Sequence, residues 1–526
     1  MSDNKQDKQH PKFFNPSRLI VNVVVCVIGA IIGLELLTRV GVTPNTSIIG
    51  ALIAILLSYI PLKLFSNYKD LHNQTLLQTS ISGATFSAAN GLLVPIAIPF
   101  VLGMPDLIPM MLFGAALAII TDATILYCSF GSNVFPATGT WPAGIATAQA
   151  LKAASTKGKS ALYLLFGLVV GAAGKFIGFA TDLIGISWIA NVFAIAALGI
   201  GLIVRGYSNE LFGIDIMEVY LPHGVMIGAG IVALFQIIQL VIKNQQLAET
   251  DKGLSRSRFT MNKVLISGFT AYLCIALCLA LVSGIYTDMS AKQLAGWILF
   301  AAFAAIVSEL IVGISAMFSG WFPSVATALI FLVLGMLLGF PTEALAILVG
   351  FTVATGPSFS DMAYDLKTGW IIRGEGEDDA FEMAGRKQQY FAELFSFAIA
   401  IGVVALVYQH YFTQGLLPPA AKVYAATINA GTDGDIAIEL IKWALLGGFI
   451  QFIGGTSKQI GVLFATGLLI SSPTSGIVIA VGLIIRWWVV KKYQQEGQEK
   501  LYIIGAGLIA GSALYSFFSS TLKLNK

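Results

Sequence analysis

The chain reads as long apolar runs separated by short polar breaks. Most runs are roughly 20 residues, the length at which a helix crosses ~30 Å of hydrocarbon. They fall at 18–38, 46–65, 72–102, 106–130, 159–182, 187–205 and 218–243. After a polar linker, "KNQQLAETDKGLSRSRFTMNK" (Lys243 to Lys263), further runs fall at 264–286, 292–318, 321–340, 342–356, 388–411, 436–455, 459–490 and 501–518. Period-2 alternation, the mark of a membrane barrel, is absent. The pattern predicts an all-α polytopic membrane protein with about 14–16 transmembrane segments. Its parts are a cytoplasmic tail (1–17), a first transmembrane repeat (18–243), a cytoplasmic linker (244–262), a second transmembrane repeat (263–518) and a tail (519–526).

Composition agrees with this class. The 526 residues are 56% hydrophobic and 11% charged, with mean hydropathy +0.81. A soluble domain carries about 25% charged residues. The net charge of +3 is spread over loops and implies no nucleic-acid partner. Cys26, Cys128, Cys274 and Cys278 sit inside apolar runs without CxxC spacing and read as small packing residues.

Basic residues set orientation, because they favour cytoplasmic loops. They cluster in the N-terminal tail, at Lys63/Lys69, at Lys152/Lys157/Lys159, in the linker, at Lys367/Arg373/Arg386/Lys387 and at Lys491/Lys492/Lys500. The N-terminus is therefore expected in the cytoplasm of a cell with this protein in its plasma (inner) membrane. Crossing parity then fails between Arg205 and Lys243 and between Lys458 and Lys491. Re-entrant hairpins, or pairs of short tilted half-helices turning at Pro222 and Pro473, would restore it. Such backbone is tolerated at membrane depth only where protein or a wet cavity surrounds it. The "PHGVMIGAGI" stretch from Pro222 resembles "PTSGIVIAVGL" from Pro473, and "WPAGIATAQALK" (Trp141 to Lys152) matches "GPSFSDMAYDLK" (Gly356 to Lys367). The order of these matches predicts two parallel repeats with re-entrant or broken helices.

Ionisable residues inside apolar runs are functional candidates, since burying them costs several kcal/mol. Glu309, central in "GWILFAAFAAIVSELIVGISAMF", and Asp122, in "LAIITDATILYC", are the proton-coupling candidates. His223 lies between Pro222 and Gly224 at one expected break, and Pro473, Ser475 and Gly476 lie at the other. Gln74, Gln78, Ser82 and Thr85 form one polar stripe at helical spacing, with Asn90 beyond it. Interhelical hydrogen bonding is the bland reading of that stripe, and a substrate pathway is the sharper one. Asp361 and Asp365 are four apart after the Gly356-Pro357 break. Asp361 is expected deeper, along the pathway, and Asp365 beside Lys367 as a cytoplasmic anchor or gate. No cofactor is implied. "TKGKS" lacks the first glycine of a P-loop, no HExxH occurs, and the four histidines are not spaced as metal ligands.

Four stretches carry a family resemblance: "NQTLLQTSISGA", "FPATGTWPAGIATAQALKA", "DLKTGWIIRGEG…GRKQQ" and "GLLISSPTSGIVIAVGLIIRW". In this order over nearly the whole chain, they resemble the oligopeptide transporter superfamily, which includes peptide carriers and yellow-stripe-like carriers of metal chelates. The resemblance implies about 16 membrane segments and proton-coupled secondary transport. On the family's D-x-K-T-G element fall Asp365, Lys367, Thr368 and Gly369, and Arg486 falls on its late arginine. The chain departs from the family where many members have a P-E-G glutamate, reading "FPATGTWPAG" instead. It is also shorter than the eukaryotic members. The expected activity is import of small peptides or peptide-like metal chelates by alternating access. Its partners would be that small solute, a proton or other cation, and the lipid bilayer. The alternatives are a carrier of another small organic solute, or a membrane-embedded enzyme or scaffold; catalysis is not expected.

Overall fold

A computed structural model describes residues 9–40, 43, 46–155, 159–247, 258–320, 322–431, 434–455, 458, 460–470 and 472–522. Most of the central linker, part of the N-terminal tail, Lys157 and the last four residues lie outside that set. Among the described residues the structure is helical, with one isolated bridge between Phe130 and Phe135. Eight helices are long and apolar enough to cross a membrane.

Helix starts follow local chemistry. Asp70, Ser290 and Asp378 cap their helices by accepting backbone N–H bonds from Asn73, Gln293 and Phe381. Proline opens the helices Pro142–Ser155, Pro357–Ile372, Pro419–Ala430 and Pro473–Leu522, where its missing N–H costs no helical bond.

Two long segments of 31 residues, Leu71–Val101 and Thr342–Ile372, form the centre and are the most buried of the candidate spans. Each is interrupted. The first carries a π-helical turn at Ser87–Leu93, and the second breaks at Thr355-Gly356 before Pro357. Gly356 has φ 93°, a conformation that costs glycine little.

The two halves correspond at a spacing of about 280 residues. Lys159–Phe176, Thr181–Ile189, Val192–Gly206 and Leu221–Leu247 return as Gly434–Gly454, Ile460–Leu469 and the two arms of Pro473–Leu522, which breaks at Gln494. "GLIVR" ending at Arg205 falls on "GLIIR" ending at Arg486, and "IGAG" from Ile227 on "IGAG" from Ile504. Packing repeats as well. Gly167 and Gly507 let Lys159–Phe176 press against the last arm, and Gly228 and Gly447 do the same for Leu221–Leu247 against Gly434–Gly454.

The repeats are inverted, which corrects the parallel arrangement expected from loop charges. The matched helix Val192–Gly206 and the first arm of Pro473–Leu522 run antiparallel, with Gly199 against Ile479 and Gly206 against Pro473, and the central segments cross the same way: Gly91 lies near Ser358, Ser82 bonds Asp361, and Gln78 bonds Asp365. The reason is the helix Arg258–Val282, which has no counterpart in the first half among the described residues and turns the second set over. The Pro142/Pro357 and Pro222/Pro473 matches reflect a shared role at helix starts, not repeat register.

Half-length helices do occur. Thr181–Ile189 and Ile460–Leu469, of 9 and 10 residues, each rise only about 15 Å, half the hydrocarbon thickness. The second of these helices ends at Leu469 and the next begins at Pro473, the expected place. The first turn lies at Ala190-Asn191, not Pro222, because the Asn191 side chain accepts from the N–H groups of Phe193 and Ala194 and starts a new helix there.

This packing gives a direct test. A Cβ on Gly228 would overlap the Ala444 backbone, and one on Gly447 the Val225 backbone. Gly228→Leu is expected to destabilise the protein by about 1–3 kcal/mol, the usual cost of overpacking. Thermal unfolding of the purified protein in detergent measures this; an unchanged midpoint would refute the helix pairing.

Candidate functional site

The central segments bring polar side chains of four helices into the core. Asp361 and Asp365 sit one turn apart on Pro357–Ile372, so both face the same side. Asp361 Oδ1 accepts from Thr46 Oγ1 at 2.6 Å, and both its oxygens lie 3.0–3.1 Å from Ser82 Oγ. Asp365 Oδ1 accepts from Ser47 Oγ and from Gln78 Nε2, each at 2.6 Å. Asp365 Oδ2 and Gln78 Oε1 are buried without partners.

Asp365 therefore belongs with Asp361 rather than with Lys367, the anchor pairing expected from sequence. Lys367 points elsewhere on the helix. Its Nζ donates to the Ala137 carbonyl at 2.8 Å and lies 4.1 Å from the centre of the Trp370 ring. Thr368 Oγ1 lies 3.1 Å from the Gly144 carbonyl, tying this helix to Pro142–Ser155. Gly369 leaves room for Gln389 Oε1 and Arg373 Nη1, which a Cβ would strike.

Gln389 joins two networks. Its Nε2 donates to the Asp365 carbonyl (2.6 Å) and to Thr79 Oγ1 (3.1 Å), while its Oε1 accepts from Arg373 Nη1 (2.8 Å). Arg373 grips Glu382 through Nε at 2.6 Å and Nη2 at 3.0 Å, and Arg386 meets the same carboxylate at 3.2 Å. Arg386 Nη1 also donates to the Phe130 carbonyl at 2.8 Å.

A second cluster lies at the Gly356 break. Asp122 Oδ2 accepts from the N–H groups of Gly356 (2.8 Å) and Phe359 (3.1 Å). These are orphan donors at a helix N-terminus. Asp122 Oδ1 lies 3.0 Å from the Tyr272 hydroxyl, and Glu309 Oε2 lies 2.9 Å from that same hydroxyl. A phenol has one hydrogen. It can donate to one carboxylate only, so the other contact is a hydrogen bond when the carboxyl supplies the proton. Asp122 already accepts two backbone donors and suits the charge. Glu309, with Oε1 unpartnered, suits the proton.

The remaining sequence candidates stand apart. Gln74 is buried one turn before Gln78, its Oε1 unpartnered. Asn90 donates to Thr43 Oγ1 at 2.6 Å. Pro222 and His223 lie in the first turn of Leu221–Leu247; the His223 ring is 5.9 Å from that of Tyr220, and Gly224 packs on Leu440 and Trp443. Pro473 packs on Gly206, Gly476 on the Gly199 carbonyl, and Ser475 Oγ is 2.6 Å from Ser472 Oγ. Arg486 Nη1 donates to the Ser187 and Ala190 carbonyls and so closes the end of Thr181–Ile189. None of them bonds to the carboxylate clusters among the described residues.

Sequence reasoning missed Tyr272, Thr46, Ser47, Gln389 and Glu393. Glu382, Arg386, Gln389, Glu393 and Ser396 follow i, i+4, i+7, i+11 and i+14 and so mark one helix face, a legible signal. Tyr272 carried none. Among the described residues, no group of His, Cys, Asp and Glu is arranged to hold a metal ion.

A helical integral membrane protein with buried carboxylates gathered at a broken central helix has the architecture of a carrier. The chain belongs to the OPT oligopeptide transporter family, whose model matches residues 15–242 and 217–523. No curated protein and no solved structure shows a significant match.

The arginine network supplies a stability test. Glu382→Ala would remove the carboxylate that grips the buried Arg373 through two bonds, and is expected to cost about 3–5 kcal/mol. A loss below about 1 kcal/mol in thermal or denaturant unfolding would show that the pair is solvated instead.

Proposed function

We propose that this transporter is a proton-coupled importer of small peptides or peptide-like metal chelates, working by alternating access in the plasma membrane with its N-terminus in the cytoplasm. The observation that carries the coupling is the single Tyr272 hydroxyl between two buried carboxylates, Asp122 and Glu309. That arrangement calls for a proton and offers a place to release one.

Its position gives the proton mechanical consequence. Asp122 holds the N-terminus of Pro357–Ile372 through Gly356 and Phe359. Deprotonating the pair would place two negative charges around one hydroxyl. Their repulsion would weaken the grip on this helix, which carries Asp361 and Asp365. Gln78 and Asp361 line the solute pathway in this reading. Family membership supports the solute class, and basic residues near Lys63, Lys69, Lys491 and Lys492 support the orientation.

The experiment is uptake into proteoliposomes. With an imposed inward proton gradient, labelled di- and tripeptides should accumulate. Glu309→Gln should lower gradient-driven accumulation at least about tenfold, while solute exchange at equal pH persists, because a neutral amide keeps a bond to Tyr272 but cannot cycle a proton. Unchanged pH dependence in Glu309→Gln would remove the proton assignment. Failure of every peptide and chelate to exchange would remove the solute class.

A further inference from the structure

Glu393 takes part in neither the hydrogen-bonded aspartate network nor the arginine network. It lies in the middle of Asp379–Thr413, fully buried, with both carboxyl oxygens unpartnered. A Cβ on Gly83, the residue after Ser82, would strike Glu393 Oε1 and Ser396 Oγ, so the carboxyl is aimed at the helix that supplies Gln78 and Ser82. Ser82, next to Gly83, bonds Asp361, and Gln389, one turn before Glu393, bonds the Asp365 carbonyl, so both neighbours of Glu393 lead to the aspartates.

Three carboxyl groups thus converge without a cationic partner. Their bonded neighbours are neutral: Thr46, Ser47, Gln78 and Ser82. The nearby cations are committed, Arg373 to Glu382 and Gln389, and Lys367 to the Ala137 carbonyl. The unpartnered buried atoms of these residues are all oxygens: Glu393 Oε1 and Oε2, Asp365 Oδ2 and Gln78 Oε1. Buried acceptors that lack donors carry the full cost of desolvation. A positively charged group that brings N–H donors or accepts oxygen ligands removes that cost.

We propose that Asp361, Asp365, Glu393 and the Gln78 carbonyl form a binding site for one singly charged cation, either the ammonium group of a solute or a free alkali-metal ion. The shared chemistry is a hard positive charge among oxygens. Among the described residues no carboxylate group is already arranged to hold a metal ion, so an alkali ion would have to draw these oxygens together, whereas an ammonium could donate to them separately. The ammonium identity rests on the transport reading above, and the alkali-ion identity does not.

Thermal unfolding of the purified full chain distinguishes the sources. Sodium, potassium and methylammonium chlorides are compared with N-methylglucamine chloride at equal ionic strength, and dialanine with N-acetyl-dialanine. If the site takes an ammonium, methylammonium and dialanine raise the midpoint and N-acetyl-dialanine does not. If it takes an alkali ion, sodium or potassium raises it and the amines do not. In both cases Glu393→Gln should raise the half-saturating concentration at least tenfold, while Glu496→Gln, at an exposed position outside both clusters, leaves it unchanged. Gly83→Ala, which presses on the Glu393 carboxyl, is the second variant should Glu393→Gln fold poorly. The proposal is overturned if no cation shifts the midpoint, or if the shift survives in the folded Glu393 or Gly83 variant. Protons alone then neutralise the cluster. An alkali-ion response without solute exchange in proteoliposomes would uphold the site and overturn the transport reading.

Discussion

A carboxylate sunk in hydrocarbon must find its donors or its proton inside the protein, because neither water nor lipid supplies them. The centre of this molecule is arranged around that constraint. The break at Gly356 is the clearest case. An unbroken helix there would have spent its N–H groups internally, leaving nothing for Asp122. Breaking at Gly356-Pro357 frees the Gly356 and Phe359 donors, and both point at one carboxylate oxygen.

Inverted duplication supplies the second half of the solution. Two related long helices cross antiparallel at the centre, and identical copies would have placed like groups face to face. They have instead diverged in complementary ways. The first-half helix brings Gln78 and Ser82, and the second-half helix brings Asp361 and Asp365. Donors on one copy meet acceptors on the other. The peripheral elements kept their likeness, down to GLIVR and GLIIR, because their contacts are glycine against backbone and depend little on side-chain chemistry.

This contrast explains what the sequence made legible. Membrane class followed from run length and charge, and the family from "DLKTG" and the last segment. The burial of Glu309, Asp122 and Asp361 followed from their place in apolar runs. The grouping of those residues did not. Asp122 and Glu309 are linked by Tyr272, a tyrosine among many apolar neighbours with no periodic mark. Asp365 and Lys367 do not pair, because two residues along a helix separate side chains by roughly 200°. The parallel repeat was inferred because loop charges cannot reveal that Arg258–Val282 belongs to neither repeat.

One helix, Pro357–Ile372, adjoins the Asp122 cluster, the aspartate network and the arginine network. Its N-terminus is held by Asp122, its middle presents Asp361 and Asp365, and its C-terminal end leads into Arg373 and the Glu382 pair. Gln389 binds the Asp365 carbonyl and Arg373 at once, so the middle and the end cannot shift independently without breaking one of those bonds. Coupling between two ligands requires that both bias one element with two positions. A proton acting at the first turn and a cation acting one and two turns later would bear on the same segment. That shared segment removes the need for a long relay between sites, since the distance is spanned by a single stretch of hydrogen-bonded backbone.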